Sequence, residues 1–196
     1  MHQRRASRFD WKREKAIFPI AMETPIPWEQ SYVTRYIVEA EPSGIRSQLA
    51  THFEFTQSFL NALPEVRAGF AYAEGKWTLR QVVGHILDSQ AIFAYRAMCF
   101  SRGEAKPLPG FEEADYAQHW RRDDIPLAEV VRGYKLQSQV TLAQASTLTA
   151  AELERPGVAN GIALTPLVVY RVLIGHERHH LRVLSERYGA AVTAAA

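Results

Sequence analysis

Four long segments of this 196-residue chain repeat their apolar residues at helical spacing, and apolar alternation at period two is absent. The predicted helices lie between Ser43 and Pro64, Thr78 and Arg102, Pro126 and Leu148, and Thr165 and Tyr188. An amphipathic helix has to bury its apolar stripe against another element. Four such helices therefore predict an all-α fold, a four-helix bundle.

A long connection, residues 103–124, separates the second and third predicted helices. Two prolines and a glycine within residues 107–110 exclude regular structure at its start, whereas residues 112–120 have the pattern of a short helix. A connection of this length inside a compact domain is often functional. Its aromatic residues are candidates either to roof a pocket or merely to cover the bundle: Phe111, Tyr116 and Trp120.

Residue types also predict how the helices begin and what they bury. Thr78 and Gln81 have the spacing of a capping box, and Thr165 followed by Pro166 is typical of a helix start. Asn160-Gly161 predicts a tight reversal before the last helix. The positions predicted to share one core are Leu49, Phe53, Phe59, Val82, Ile86, Phe93, Val140, Val169, Leu173 and Leu184.

Composition is that of an ordinary globular protein, with 47% hydrophobic and 22% charged residues and a net charge of +2. The single cysteine, Cys99, excludes an intramolecular disulfide and fits a reducing compartment. No apolar block marks a secretory signal or a membrane span, so a cytoplasmic location is predicted. Dinucleotide-binding, P-loop and serine-nucleophile motifs are absent.

The N-terminal part differs in charge from the rest of the chain. Residues 1–22 carry six basic and two acidic side chains, which indicates either a solvated tail or an arm that contacts phosphates. Charges are balanced after residue 22, so nucleic-acid binding is not expected. The predicted division is an arm with an aromatic lead-in over residues 1–36, a bundle over residues 37–189 and a tail over residues 190–196.

Histidines are the polar exceptions in the apolar stripe of the last helix. At about 100° per residue, His176 and His180 fall near the centre of that stripe and one turn apart, whereas His179 sits at its edge. Imidazoles at this spacing suit two ligands of one metal ion. The alternative is a pair of core histidines that are satisfied by backbone groups or water.

Two further histidines are candidates in the first and second helices. His85 lies on the flank of the apolar stripe of the second helix, and Asp88 one turn later is either an acceptor that orients it or an exposed acid. His52 lies beside the stripe of the first helix and is a reserve ligand.

These residues carry a resemblance to a known family. The motifs are GKWTLRQVVGHILD (residues 75–88), AYR (94–96), PLPGF (107–111) and GHERHH (175–180). They resemble the DinB-like (YfiT-like) superfamily, in the same order and over residues 37–188. The resemblance implies an up-down-down-up four-helix bundle, often dimeric, with a divalent metal held by three histidines. By this resemblance the triad falls on His85, His176 and His180.

Three protein ligands leave coordination positions open, as in a catalytic metal site. The resemblance thus implies a metal-dependent hydrolase or a transferase that uses a low-molecular-weight thiol, acting on a small molecule with nickel, zinc, iron or manganese. Glu177 is a candidate general base, and Arg96, in line with His85, is a candidate to hold an anionic substrate. The alternative is a non-catalytic, stress-associated binding or scaffold protein whose metal is structural or vestigial.

Dimerisation is predicted chiefly by the same resemblance. The second and third helices carry more apolar residues than one buried face needs, which is compatible with a homodimer interface. The residues concerned are Tyr95, Met98, Val131 and Tyr134.

Overall fold

The computed structural model of the chain describes residues 24–189, so the predicted basic arm and C-terminal tail lie outside the described residues. Within this range the chain is mostly helical, with one small sheet. The helices are α1 (Thr34–Ile37), α2 (Ile45–Asn61), α3 (Leu79–Ser101), α4 (Glu113–His119), α5 (Leu127–Ser146), α6 (Ala150–Leu153) and α7 (Pro166–Tyr188). The strands are β1 (Ile26–Pro27), β2 (Gly157–Ala159) and β3 (Ile162–Leu164).

The four long helices α2, α3, α5 and α7 pack as a four-helix bundle, which confirms the predicted fold class. Helices α3 and α5 run parallel, while α7 is antiparallel to α3 and α2 is antiparallel to α5. The contacts that fix these directions are Gln90–Ser138 and Met98–Gln144 between α3 and α5, His85–His180 and Phe93–His176 between α3 and α7, and Arg46–Ala145 and Phe53–Tyr134 between α2 and α5. The order is therefore up-down-down-up, and the α4-containing connection is what allows two successive long helices to run in the same direction.

The bundle core contains most of the predicted positions, but Val140, the core position predicted on α5, is not among them. Val140 is 49% exposed, and Phe93 is only partly buried. Ser138 and Thr141 occupy buried positions instead, and their hydroxyls donate to the carbonyls of Tyr134 and Gln137 one turn earlier. Small polar residues that satisfy themselves in this way can line a core, and a search for apolar periodicity passes over them.

Two residues that were predicted to form a dimer surface are buried within the chain itself. Val131 is 6% exposed and Tyr134 is fully buried in the core between α2, α3 and α7, so neither is available to a partner. Tyr95 remains exposed on α3. The homodimer stays a prediction.

The predicted reversal at Asn160-Gly161 is present, with left-handed backbone at both residues (φ 51° and 72°), and it joins β2 and β3 as a hairpin. The strands themselves are not predicted, because three residues are too few for a period-two pattern. Strand β1 adds to β3 in parallel, and Leu108 pairs beside β2. The sheet thereby ties the N-terminal lead-in and the long connection to the start of α7.

Helix starts follow the predicted caps. Thr78 and Gln81 form a reciprocal capping box at α3, and the Thr165 side chain accepts a hydrogen bond from the Val168 amide at α7, with Pro166 in the first turn. The short helix predicted in the connection is α4. In the described part of the chain, the helices lack the length and apolar character that crossing a membrane requires.

Candidate metal centre

Three histidines from α3 and α7 converge in the bundle. The Nε2 atom of His176 lies 3.1 Å from Nε2 of His85 and 3.2 Å from Nε2 of His180. One ligand nitrogen from each ring lies within 4.8 Å of the other two. His176 and His180 are neighbours because they are one helical turn apart, whereas His85 is brought in by the antiparallel packing of α3 on α7.

The donor set fits a divalent transition-metal ion. Imidazole nitrogens that share one ion lie about 2.0–2.1 Å from it, which at tetrahedral or octahedral angles puts neighbouring nitrogens about 2.8–3.4 Å apart. The two separations from His176 Nε2 fall in that range. Neutral imidazole is a preferred ligand of zinc, copper, iron and nickel, whereas calcium and magnesium prefer oxygen.

Burial keeps these imidazoles in the form that binds metal. Desolvation lowers the pKa of His85 to about 4. It also lowers the pKa values of His176 and His180 well below their ordinary range, and the neighbouring histidines add a smaller effect in the same direction. All three rings are therefore neutral at pH 7, and a cation does not have to displace protons from them.

Aromatic side chains pack around the triad and fix the rings. Trp77 lies 5.0 Å from the His85 ring between centroids, and Tyr36 and Phe93 each lie 5.5 Å from the His176 ring in edge-on contacts. Tyr36 comes so close because residue 175 is glycine. A Cβ there would lie 1.9 Å from the Tyr36 carbonyl oxygen, so any larger residue would push α1 away from the triad.

The remaining predicted histidines lie outside the triad. His179 contacts the rings of Tyr36 and His180 but is not among the converging donors, in keeping with its predicted position at the edge of the stripe. His52 is buried on α2, where its Nε2 atom lies 2.9 Å from a carboxylate oxygen of Glu177.

Glu177, the candidate general base, lies in a separate buried network. Its Oε2 atom accepts a hydrogen bond of 2.7 Å from the Tyr134 hydroxyl and also contacts His52. Burial, with the Glu177 charge as a second cause, raises the pKa of Tyr134 well above its ordinary value, so the phenol stays a donor. This network links α2, α5 and α7, and within the described chain Glu177 has no hydrogen bond to the triad.

Asp88 follows neither of the two alternatives, because it does not bond to His85 and is half-buried rather than exposed. Its Oδ2 atom accepts a 2.7 Å hydrogen bond from the indole nitrogen of Trp120, which packs directly on Gly84. The Nδ1 atoms of His85 and His176 have no hydrogen-bond partner among residues 24–189. Trp120 thus anchors the connection to α3 beside the triad, and aromatic contacts orient the two rings.

A small enclosed cavity of about 120 Å³ adjoins the triad, with His176 in its wall. Arg96 and Phe111, both singled out from the sequence, line this cavity, whereas Tyr116 packs on Phe111 and is largely exposed. Sequence reasoning missed Arg35 and Tyr36, which also line it. Helix α1 has only four residues, which is too short for a periodic signal.

Comparison with known proteins gives the family of the chain. The family model of the DinB superfamily matches residues 48–184. The chain belongs to the DinB superfamily. The match contains the whole of α3 and α5 and the three histidines of the triad, which confirms the family resemblance predicted from the motifs.

Relatives of this DinB superfamily member include a protein of Oceanobacillus iheyensis named "Putative metal-dependent hydrolase", 26% identical over 68% of this chain and 78% of its own. YfiT from Bacillus subtilis, described as a "probable metal-dependent hydrolase with an unusual four-helix bundle topology", superposes with a TM-score of 0.62 at 20% identity, covering 74% of this chain and 89% of its own. A DinB-like protein, YjoA, from the same organism superposes with a TM-score of 0.53 at 22% identity, covering 76% of this chain and 93% of its own. At such identities the superpositions establish the shared fold.

Depressed histidine pKa values predict how the stability of this DinB superfamily member depends on pH. The pKa of His85 is about 4 in the folded protein against 6.5 ordinarily, so the unfolded chain binds a proton that the folded one does not. The neutral His85 ring therefore favours the folded state fully above pH 6.5. As pH falls from 6.5 towards 4, the free energy of unfolding decreases by up to about 3 kcal/mol. Urea unfolding of the metal-free protein at neutral and acidic pH should show this loss. The His85→Asn variant, which does not titrate, should show a smaller one, and an equal loss in both would contradict the prediction.

Proposed function

We propose that this protein is a metal-dependent hydrolase of a small-molecule substrate, with one divalent ion held by His85, His176 and His180. The observation that carries the proposal is the convergence of three neutral Nε2 atoms beside a cavity. The proposal is also supported by the hydrolase names of the relatives from Oceanobacillus iheyensis and Bacillus subtilis. The ion would be nickel, zinc, iron or manganese, which three-histidine sites accept to different degrees.

Each part of the site has a role in this proposal. When bound, a divalent ion at this triad supplies a Lewis acid, which makes a water or thiol proton easier to remove and draws electron density from a substrate oxygen. The three histidines would hold it through three nitrogens, and residues 24–189 offer no fourth ligand that would complete a structural site. Trp77 and Phe93 pack against the His85 and His176 rings, and these apolar contacts lower the dielectric around the triad.

The same site suits a transferase in which a low-molecular-weight thiol replaces water. No described contact favours the thiol over water, so we retain the transferase as an outcome of the experiment. A non-catalytic binding protein with a structural or vestigial metal is the third outcome.

The test begins with elemental analysis of protein purified without a histidine tag. The identified metal is then restored to metal-free protein, which is assayed against a panel of small esters, amides and phosphoesters in ¹⁸O-labelled water, with and without added thiol. A hydrolase should incorporate ¹⁸O into its product without thiol, and His176→Ala should abolish the turnover.

Other results would redirect the proposal. Turnover that requires thiol and incorporates no label would overturn hydrolysis in favour of transfer. A loaded triad without turnover on any class of substrate would favour the non-catalytic alternative. Protein that takes up no divalent metal at all would remove the basis of the proposal.

A further inference from the structure

The cavity beside the triad is a mixed polar and apolar chamber. At about 120 Å³ it holds only a few non-hydrogen atoms, and its wall includes His176, so an occupant lies beside one of the three candidate metal ligands. Phe93 and Phe111 supply apolar wall, whereas Arg35 and Arg96 supply positive charge.

Arg96 is an uncompensated cation in this wall. It is only 7% exposed, and its single hydrogen bond within the described chain runs from Nη2 to the Pro109 carbonyl oxygen, at 2.9 Å. The other strongly buried arginine, Arg80, is 5% exposed and pairs with the carboxylate of Asp123 at 3.2 Å. No acidic side chain among residues 24–189 lies within ion-pair distance of Arg96.

A guanidinium in such surroundings is costly unless an anion joins it. Burying an unpaired charge costs several kcal/mol, and burial accordingly lowers the pKa of Arg96. The group nevertheless stays charged at neutral pH. The planar guanidinium can donate two parallel hydrogen bonds to a carboxylate. Within the described chain, only one of its five N–H donors is used, by the Pro109 carbonyl oxygen. The remaining donors are where an oxyanion that enters the cavity would bind.

Side-chain charge in the rest of the wall favours a ligand with a single negative charge in the metal-free protein. Arg35 lies over the rings of Tyr32 and Tyr36 at 5.6 and 5.1 Å, and Glu113 also lines the cavity. In the metal-free protein, the one acidic and two basic side chains of the wall leave one net positive charge. A monoanionic carboxylate matches this better than a phosphate dianion does.

We propose that this cavity is the substrate subsite for a small carboxylic acid, whose carboxylate is bound by Arg96, with Arg35 assisting, and whose short apolar chain lies against Phe93 and Phe111. This inference rests on the proposed function, because it treats the cavity as the part of the site that positions substrate against the triad. Arg96 then acts as a specificity-determining residue, and neutral analogues of the substrate bind poorly.

The test uses propionate as the probe and metal-free full-length protein, so that the carboxylate has no ion to bind. Ligand-observed NMR titrations at pH 7 compare propionate with neutral propionamide and with inorganic phosphate. Saturable binding of propionate in the millimolar range is expected, tighter than that of propionamide by about tenfold and tighter than that of phosphate. Arg96→Gln should weaken propionate binding by about tenfold.

Control variants separate binding from folding. Arg132→Gln removes an exposed arginine that pairs only with Glu129 in the described chain, and it should bind propionate like the wild type. Arg96→Lys keeps the charge and should bind with intermediate affinity. Arg35→Gln, at an exposed position, should bind more weakly whether or not Arg96→Gln folds.

The proposal is overturned by unchanged propionate affinity in the arginine variants, by equal binding of propionamide, by tighter binding of phosphate or by the absence of saturable propionate binding. Because the titration uses metal-free protein, its result is independent of whether the triad binds metal. Propionate binding without metal uptake would contradict the proposed function but not the carboxylate subsite. Metal uptake and turnover without propionate binding would contradict the carboxylate subsite but not the proposed function.

Discussion

Replacing His85, His176 or His180 by alanine is expected to abolish stoichiometric metal binding, whereas His179→Ala should leave it intact. Each triad residue contributes one of three nitrogens that lie within 4.8 Å of one another, and two remaining ligands hold an ion far less tightly than three. His179 is the matched control because it adjoins His180 in sequence but is not one of the converging donors. The measurement is metal content per chain after loading and dialysis of the four single variants.

Comparison within this set is what makes the experiment decisive. Metal retained by His180→Ala and lost by His179→Ala would show that the register of the histidines on α7 is wrong. Metal retained by all four variants would mean that the ion binds elsewhere. Circular dichroism of each variant should show an intact helical fold, since the triad contributes ligands and little of the apolar core.

Phe53→Ala is expected to lower the free energy of unfolding by about 3–5 kcal/mol. Phe53 is 5% exposed, and its ring makes an edge-on contact with Tyr134, 6.4 Å away between centroids. Removing the ring leaves a cavity between α2 and α5, next to the buried hydrogen bond from Tyr134 to Glu177. Urea unfolding followed by circular dichroism measures the change.

The matched control is Phe55→Ala on the same helix. Phe55 is 51% exposed, so its truncation removes the same atoms from a half-solvated position. It should change the free energy of unfolding by less than about 0.5 kcal/mol. Equal losses for the two variants would contradict the assignment of the buried face of α2.

Local patterns in the sequence were enough to determine the helices, their caps and the histidine pair. The capping box at Thr78 and the Thr165-Pro166 start depend on residues within one turn, so spacing alone reveals them. Likewise, His176 and His180 adjoin because of helical geometry, whatever packs around them. Periodicity failed on α5 because Ser138 and Thr141 are buried polar residues, which a search for apolar positions does not select.

Tertiary structure decided everything that joins distant parts of the chain. Asp88 lies one turn from His85 and could bond to it by spacing alone. In the folded chain its carboxylate accepts a hydrogen bond from Trp120 of the connection instead. Helical rotation alone turns Glu177 about 100° away from its neighbour His176, but only the folded chain supplies the partner of the carboxylate, Tyr134 of α5. Arg35 enters the cavity because Gly175 lets α1 approach α7. Such contacts depend on how whole helices and loops pack together. The spacing of residues along the sequence does not predict that packing.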